Sequence, residues 1–227
     1  MTWTPIVDGH ADTLARLAAE NRSLDGCSAR GHSDLGRLLR AGVALQVLAI
    51  CTEPEEAGLV RVLELIDRCY RDLAGRADAK VVLGRGDLDW LGPGRVGFLL
   101  ALEGAGPLAG RPGLLRPLHQ LGLRLVGLTW NGRNQFADGV AVEGGGGLTG
   151  AGRELVALAE ELGVVVDLAH LHPKGFWDVL SIARRPVVVS HANARAVRDH
   201  PRNLDDDQLR ALADRGGLVG INLCPPF

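Results

Sequence analysis

Short apolar segments alternate with longer amphipathic ones along the whole chain, and this alternation restricts the fold more than any other feature. The short segments are rich in β-branched residues and run without polar interruption, which is typical of strands buried on both faces of a parallel sheet. We therefore predict seven parallel strands. They cover residues 5–10, 44–50, 96–103, 123–129, 164–170, 186–191 and 218–223.

Amphipathic helices are predicted between these strands, over residues 13–22, 55–75, 152–163, 173–185 and 205–217. Pro173 stands in a first turn, and Gly163 and Gly216 stand at helix ends, where these residue types are favoured. A repeating strand–helix order with parallel strands predicts an α/β fold, either a doubly wound sheet or a (β/α)8 barrel. No shift in composition marks a boundary, so we expect one domain over 1–227.

The composition excludes several classes of protein. Of the 227 residues 46% are hydrophobic, and the formal net charge is −2, so a buried core is expected and long disorder is not. The chain has no excess of basic residues that would bind nucleic acid or an anionic membrane. No apolar run approaches the ~20 residues that are needed to span a membrane. The four cysteines, Cys27, Cys51, Cys69 and Cys224, lack CxxC spacing and are expected to be free thiols. We expect a soluble, cytoplasmic protein.

Ionisable side chains cluster at the carboxyl ends of the predicted strands. In a barrel this edge is where active sites form. His10 and Asp12 are two apart, so in an extended segment they point the same way and could hold one cation. His170 and His191 suit a second metal, and Glu103 could bridge the two ions. The clustered residues are Asp8, His10, Asp12, Glu103, Asp167, His170 and His191.

Each of these residues also has an ordinary explanation. The His-x-Asp spacing alone arises by chance or from a structural hydrogen bond, and a single histidine after a strand is more often packed in a core than bound to metal. Glu103 precedes Gly104 and could serve a turn, while His172 competes with His170 as a ligand. The joint pattern, five suitable ligands at the same end of four strands, favours a binuclear metal centre.

Seven segments match a known family in the right order and cover nearly the whole chain. They are IVDGHADTLARL (6–17), LLALEGAGPL (99–108), GLTWNGRNQFADG (127–139), GLTGAGRELV (147–156), VVVDLAHLHPKGFWDVL (164–180), PVVVSHANARAV (186–197) and HPRNLDDDQLRALADRGGLVGINLCPPF (200–227). On these motifs the chain resembles the membrane (renal) dipeptidase family, zinc peptidases of the amidohydrolase-type barrel superfamily, and is most similar to the bacterial branch.

The resemblance implies a TIM-type (β/α)8 barrel and a binuclear zinc dipeptidase. Such an enzyme hydrolyses the peptide bond of dipeptides, including those with a D-residue at the C-terminal position, by attack of a hydroxide that bridges two Zn²⁺ ions. It implies His10 and Asp12 as ligands of the first zinc, His170 and His191 as ligands of the second, and Glu103 as the bridge and catalytic residue. Arg202 would bind the substrate carboxylate. Family members often form homodimers, so the resemblance also implies a second copy of the chain as a partner.

The sequence departs from the family pattern in two places. Trp130, followed by Asn131, stands where animal members have a substrate-contacting histidine. The aspartate expected after an eighth strand, which handles the proton of the attacking water, is not among the 227 residues. We therefore expect a barrel truncated after its seventh strand, as a fragment of a longer protein. The alternatives are closure by a second copy or another chain, and a non-catalytic metal-binding relative.

A third functional class is another amidohydrolase-type enzyme, for example a lactonase or a deaminase. Arg202 argues against it, because a guanidinium at that place implies a substrate with an anionic terminus.

Overall fold

All strand pairings in the sheet are parallel. The computed structural model describes residues 4–26, 29–52 and 58–227. The strands are β1 (Ile6–Ala11), β2 (Val43–Cys51), β3 (Ala79–Val81), β4 (Val96–Glu103), β5 (Leu123–Gly127), β6 (Val165–Asp167), β7 (Val188–Ala192) and β8 (Leu218–Ile221). Their order in the sheet is β1-β2-β4-β5-β6-β7-β8, and β3 pairs with β4. The seven strands of the main path form a nearly closed, barrel-like sheet, which confirms the predicted TIM-type fold with seven barrel strands.

Helices cover the outside of the sheet. Their first residues follow ordinary capping chemistry: the Asp205 side chain accepts a hydrogen bond from the Gln208 amide, and Thr149 accepts one from the Gly152 amide. The helices are α1 (Thr13–Ala19), α2 (Leu35–Ala41), α3 (Gly58–Leu73), α4 (Leu115–Gln120), α5 (Gly150–Leu162), α6 (Pro173–Ile182) and α7 (Asp206–Asp214), with short 3₁₀ turns at Arg85–Trp90, Gly106–Leu108 and Pro112–Leu114.

Every predicted strand and helix corresponds to an element of the structure, and one strand and two α-helices were missed, besides the 3₁₀ turns. β3 spans three residues, α2 seven and α4 six, too few for a clear apolar period. β3 pairs with the first part of β4 while β5 pairs with its second part, so the two strands share one edge of β4. The first residues of the helix predicted over 55–75 lie outside the described residues.

Two apolar layers hold the sheet in place. The large core lies between the sheet and the helices, and a small separate cluster of Val47, Ala101 and Leu125 lies within the ring of strands. Leu99 packs against this inner cluster. Because side chains alternate along a strand, Leu99, Ala101 and Glu103 share the inward face of β4. Glu103 therefore lies above an apolar floor at the carboxyl end of the barrel.

The ring is incomplete between β1 and β8, which form the two ends of the strand path. Both edges expose apolar side chains, among them Val7 and Ile221. A groove of about 590 Å³ runs between them and is also lined by His10 and His191. Beside the groove β1 contacts β7 directly, since a Cβ placed on Gly9 would lie 2.9 Å from the carbonyl oxygen of Ser190.

Two smaller expectations can be compared with the described ranges. None of the helices in these ranges combines the length and the apolar character that a membrane crossing requires. Cys69 and Cys224 are free thiols, and burial raises the pKa of the Cys69 thiol to about 12. Cys27 lies outside the described residues.

The close approach of β1 to β7 generates a stability prediction. Gly9→Ala should lower the free energy of unfolding by about 1–3 kcal/mol, because the added methyl group must displace the Ser190 carbonyl. The measurement is urea denaturation followed by circular dichroism. Gly113→Ala is the matched control, since a Cβ there meets only open space. Equal midpoints for the two variants would contradict the contact.

Candidate metal centre

Two β-bulges direct histidines into the mouth of the barrel. The pairing of β1 with β2 is regular at Asp8, then shifts before Ala11, and His10 lies within the shift. The pairing of β7 with β8 shifts in the same way around His191. An extra residue in a strand turns the following side chains to a different face. Without the first bulge, His10 would share the outward face of Asp8; with it, the rings of His10 and His191 stack 3.7 Å apart.

Glu103 joins these two imidazoles at the end of β4. Its Oε1 lies 3.6 Å from the Nε2 atoms of both His10 and His191, and 2.9 Å from that of His170. Gly104 makes the turn that follows, with φ of 85°, and a Cβ there would lie 3.0 Å from the Trp130 amide nitrogen. A glycine is required for this turn because the backbone is left-handed and closely packed.

His170 enters the site from a strained backbone position. It follows β6 with φ of 66°, a left-handed conformation uncommon outside glycine. Its carbonyl accepts a hydrogen bond from the Val140 amide, and its Nδ1 lies 2.7 Å from Oδ1 of Asn131. The other ring nitrogen of His170, Nε2, lies 2.9 Å from Nε2 of His191. The cost of such strain, about 1–3 kcal/mol, is typical of residues held for function.

The polarity of the converging atoms suits a bound cation. Nδ1 of His170 faces an amide oxygen and Nδ1 of His191 faces the Ser190 hydroxyl oxygen at 2.9 Å. When both Nδ1 atoms carry hydrogen, both Nε2 atoms present lone pairs to each other and to the Glu103 carboxylate. Imidazole nitrogens and carboxylate oxygens are zinc ligands. The donor set therefore fits a metal, and ligand atoms of His10, Glu103 and His191 all lie within 4.8 Å of one another.

Asp12 lies at the rim of the same cluster. Its Oδ1 is 3.9 Å from Nε2 of His10, and its side chain is 54% exposed. It follows β1 as the residue before α1, outside the strand. Strand alternation therefore does not explain its proximity to His10, although that was the reason for predicting it; the bulge in β1 and the start of α1 do.

Burial shapes the protonation of the inner groups. It lowers the pKa of both His170 and His191, for His170 against the opposing effect of the nearby Glu103 carboxylate and for His191 together with the proximity of His10. Burial also acts to raise the pKa of Glu103, but the neighbouring His170 and His10 side chains outweigh it, so the net shift is downward. Neutral imidazoles and an ionised carboxylate are the forms that bind a metal.

Arg202 lies beside the centre, in the loop after β7. Its side chain is buried, its Nη2 donates to the His191 carbonyl at 3.3 Å, and its buried Nε has no hydrogen-bond partner among the described residues. Burial lowers the pKa of Arg202 to about 10, against the nearby carboxylates of Asp167 and Glu103. A cation with an unused donor next to the centre could bind an anion.

The structure brings together all five side chains predicted as metal ligands, and Arg202 lies next to them. His172 has a different role. Its Nδ1 accepts a hydrogen bond from the Lys174 amide, so its side chain caps the N-terminus of α6. Asp8 instead accepts hydrogen bonds from the His10 amide and the Gln46 side chain. Asn131 and Ser190, which contact the imidazoles, were not predicted, because neither residue type by itself signals such a role.

Comparison with protein families decides the relationship. The model of the family described as "Membrane dipeptidase (Peptidase family M19)" matches residues 1–227. The chain belongs to this family. Its curated relatives include the dipeptidase aclJ of Aspergillus oryzae, 32% identical over all of this chain and 59% of the relative, and a Klebsiella pneumoniae protein from the pqqA 5′ region, 35% identical over 73% of this chain and 63% of the relative. This family member thus spans about 60% of the length of these two relatives.

Solved structures of other family members share the fold. A metallopeptidase from Rhodobacter sphaeroides, bound to a phosphinate mimic of the dipeptide L-Ala-D-Ala, is 30% identical and superposes with a TM-score of 0.87 over 97% of this chain and 74% of its own. A second structure, the M19 metallopeptidase "dipeptidase AC", is 31% identical with a TM-score of 0.87 over 97% of this chain and 72% of its own. The barrel is therefore that of the M19 metallodipeptidases.

The lowered histidine pKa values generate a prediction for the metal-free protein. Above the usual pKa of 6.5 a histidine is neutral in both the folded and unfolded states. Below it the unfolded state binds a proton that buried His170 and His191 resist, so stability falls as the pH falls. The expected loss is up to about 1.4 kcal/mol per pH unit for each histidine.

The measurement is the free energy of unfolding between pH 7 and pH 5 after dialysis against a chelator. His191→Gln should make this dependence on pH shallower. His32→Gln, at an exposed histidine, should leave it unchanged. A slope that is the same in all three proteins would refute the assignment.

Proposed function

We propose that the chain is a binuclear zinc dipeptidase that hydrolyses the peptide bond of dipeptides, including those with a D-residue at the C-terminal position. The observation that carries this proposal is the convergence of three imidazoles on Glu103 at the barrel mouth. Membership of the M19 family supports it. The L-Ala-D-Ala mimic bound by the Rhodobacter sphaeroides relative supports the substrate class and its stereochemistry.

The ligands divide into two groups around one carboxylate. His10 and Asp12 would hold one zinc ion, His170 and His191 the other, and the two oxygens of Glu103 would serve both. When bound, zinc supplies a hydroxide nucleophile near neutral pH and polarises the scissile carbonyl. Glu103 is the catalytic residue of this set, and its lowered pKa keeps it ionised for that role. The stacked rings of His10 and His191 fix the directions of their Nε2 atoms.

Arg202 would bind the C-terminal carboxylate of the substrate. A guanidinium fork matches a carboxylate with two parallel hydrogen bonds, and Nε of Arg202 is unused among the described residues. Nη2 of the arginine donates a hydrogen bond to the carbonyl of His191, one of the proposed zinc ligands. A guanidinium held this near the centre would limit substrates to two residues.

The remaining expectations belong to the same proposal. The whole of 1–227 would act as one barrel domain, on free dipeptides, in the cytoplasm and as a homodimer. A balanced composition with net charge −2 supports the absence of a nucleic-acid or anionic-membrane partner.

The proposal is tested by metal content and turnover together. The purified chain, dialysed against zinc, should hold two zinc ions by elemental mass spectrometry and hydrolyse L-Ala-D-Ala. The Rhodobacter sphaeroides relative serves as the positive control. Zinc binding without turnover, in this chain and in a version extended through an eighth strand, would favour a non-catalytic metal-binding relative, and absence of zinc from both would refute the proposal.

The role of Arg202 generates its own prediction. Arg202→Ala should weaken binding of a phosphinate dipeptide mimic about 10- to 100-fold, because a charge-assisted hydrogen bond to the carboxylate is lost. Isothermal titration calorimetry measures this whether or not the chain turns over. The mimic with an amidated C-terminus should bind both proteins alike. Arg210→Ala, on the exposed face of α7, is the control; unchanged affinity in Arg202→Ala would revive the lactonase or deaminase class.

A further inference from the structure

The hydrogen-bonding partner of His191 lies one residue before it in the chain. The hydroxyl oxygen of Ser190 is 2.9 Å from Nδ1 of His191, on the side of the ring opposite to the metal centre. The same hydroxyl oxygen is 2.5 Å from Oδ2 of Asp167, the last residue of β6. All three side chains are largely buried, so a chain of two hydrogen bonds runs from the carboxylate to the imidazole.

The direction of this chain follows from the chemistry of its members. A carboxylate can only accept, so the hydroxyl hydrogen of Ser190 points to Asp167. The Ser190 oxygen then has only lone pairs to offer to His191, and Nδ1 must carry the ring hydrogen. Nε2 is left with its lone pair, directed at Glu103 and His170. We propose that Asp167 and Ser190 are positioning residues that select the metal-binding tautomer of His191.

The orientation of the Asp167 carboxylate is fixed by the backbone. Its Oδ1 accepts hydrogen bonds from the amides of Ala169 at 3.0 Å and of Ser190 at 2.9 Å. Oδ2 is thereby reserved for the Ser190 hydroxyl. Three donors hold one carboxylate, and the arrangement links β6 to β7 just below the metal centre.

This fixed orientation makes Asp167→Asn more damaging than its small size suggests. The two backbone donors require an oxygen at the Oδ1 position, so the asparagine amide nitrogen must take the Oδ2 position and donate to Ser190. The Ser190 hydroxyl would then turn its hydrogen toward Nδ1 of His191. That bond stabilises the opposite tautomer, with hydrogen on Nε2, which cannot bind a metal through that atom.

A structural role for Asp167 predicts a different pattern from a tautomer-selecting role. Removing the hydroxyl in Ser190→Ala leaves His191 free to adopt either tautomer, so its effect should be mild. In the double variant Asp167→Asn/Ser190→Ala the reversing hydroxyl is gone. The double variant should therefore recover toward the level of Ser190→Ala, whereas lost structural contacts would add.

The experiment measures zinc affinity by competition with a chromophoric chelator, on the wild-type chain and the three variants. Asp167→Asn should bind zinc about 10- to 100-fold more weakly, the range typical of partners that orient metal ligands. Ser190→Ala should lose only a few-fold, and the double variant should match Ser190→Ala. Asp178→Asn is the control, because that carboxylate accepts a backbone hydrogen bond from Leu148 and forms an ion pair with Arg153.

A second measurement reads the tautomer without metal. Long-range ¹H–¹⁵N spectra of the histidine-labelled, metal-free chain should show His191 with hydrogen on Nδ1 in the wild type and on Nε2 in Asp167→Asn. An unchanged His191 signal, or a double variant weaker than both single variants, would overturn the inference. The inference rests on the proposed metal centre, but its failure is separable: a wild type that binds no zinc refutes the centre, while the tautomer spectrum still decides the role of Asp167.

Discussion

Mutual repulsion among acceptor atoms at the barrel mouth is the constraint on which the rest of the structure depends. Nε2 of His170, Nε2 of His191 and Oε1 of Glu103 lie about as far apart as hydrogen-bonded atoms do, at 2.9 to 3.6 Å. Lone pairs facing one another in a buried site are unfavourable unless a positive charge lies among them. The fold must therefore hold these atoms close together although they repel one another. The contacts around the cluster supply this restraint.

Several contacts restrain the cluster from the side that faces away from the metal centre. Asn131 and Ser190 occupy the outer nitrogens of two imidazoles. A left-handed backbone at His170 and a tight glycine turn after Glu103 set the positions of the other atoms. Outer contacts of this kind orient metal ligands and make them more basic. The chain thus places the left-handed residue His170 and the buried polar groups Asn131 and Ser190 directly around the cluster.

The sequence predicted the sheet well because burial on two faces leaves a strong signal. Continuous apolar runs located all seven barrel strands, and the ionisable residues after them located the site. The three-residue β3 left no comparable pattern, since so short a segment has no measurable period. The pairing of His10 with Asp12 was predicted from strand alternation, yet Asp12 lies outside β1 and His10 lies in a bulge. A bulge arises from the way in which two strands pair, so it cannot be predicted from the sequence of one strand alone.

The contacts that orient the ligands were equally beyond the sequence. Asp167 was marked as a strand-end carboxylate, but its connection to His191 passes through Ser190 on the neighbouring strand. Serine is a common residue in every kind of structure, and only the meeting of β6 with β7 gives this one its importance. The residue types at the strand ends thus predict which side chains are candidate metal ligands. The packing between strands determines the direction in which their ligand atoms point.

The apolar floor beneath Glu103 bears on the strength of every charge interaction above it. Val47, Ala101 and Leu125 fill the interior of the ring below the carboxylate. Because apolar surroundings screen charge only weakly, a cation at the barrel mouth would interact more strongly with Glu103 than with a carboxylate on an exposed surface.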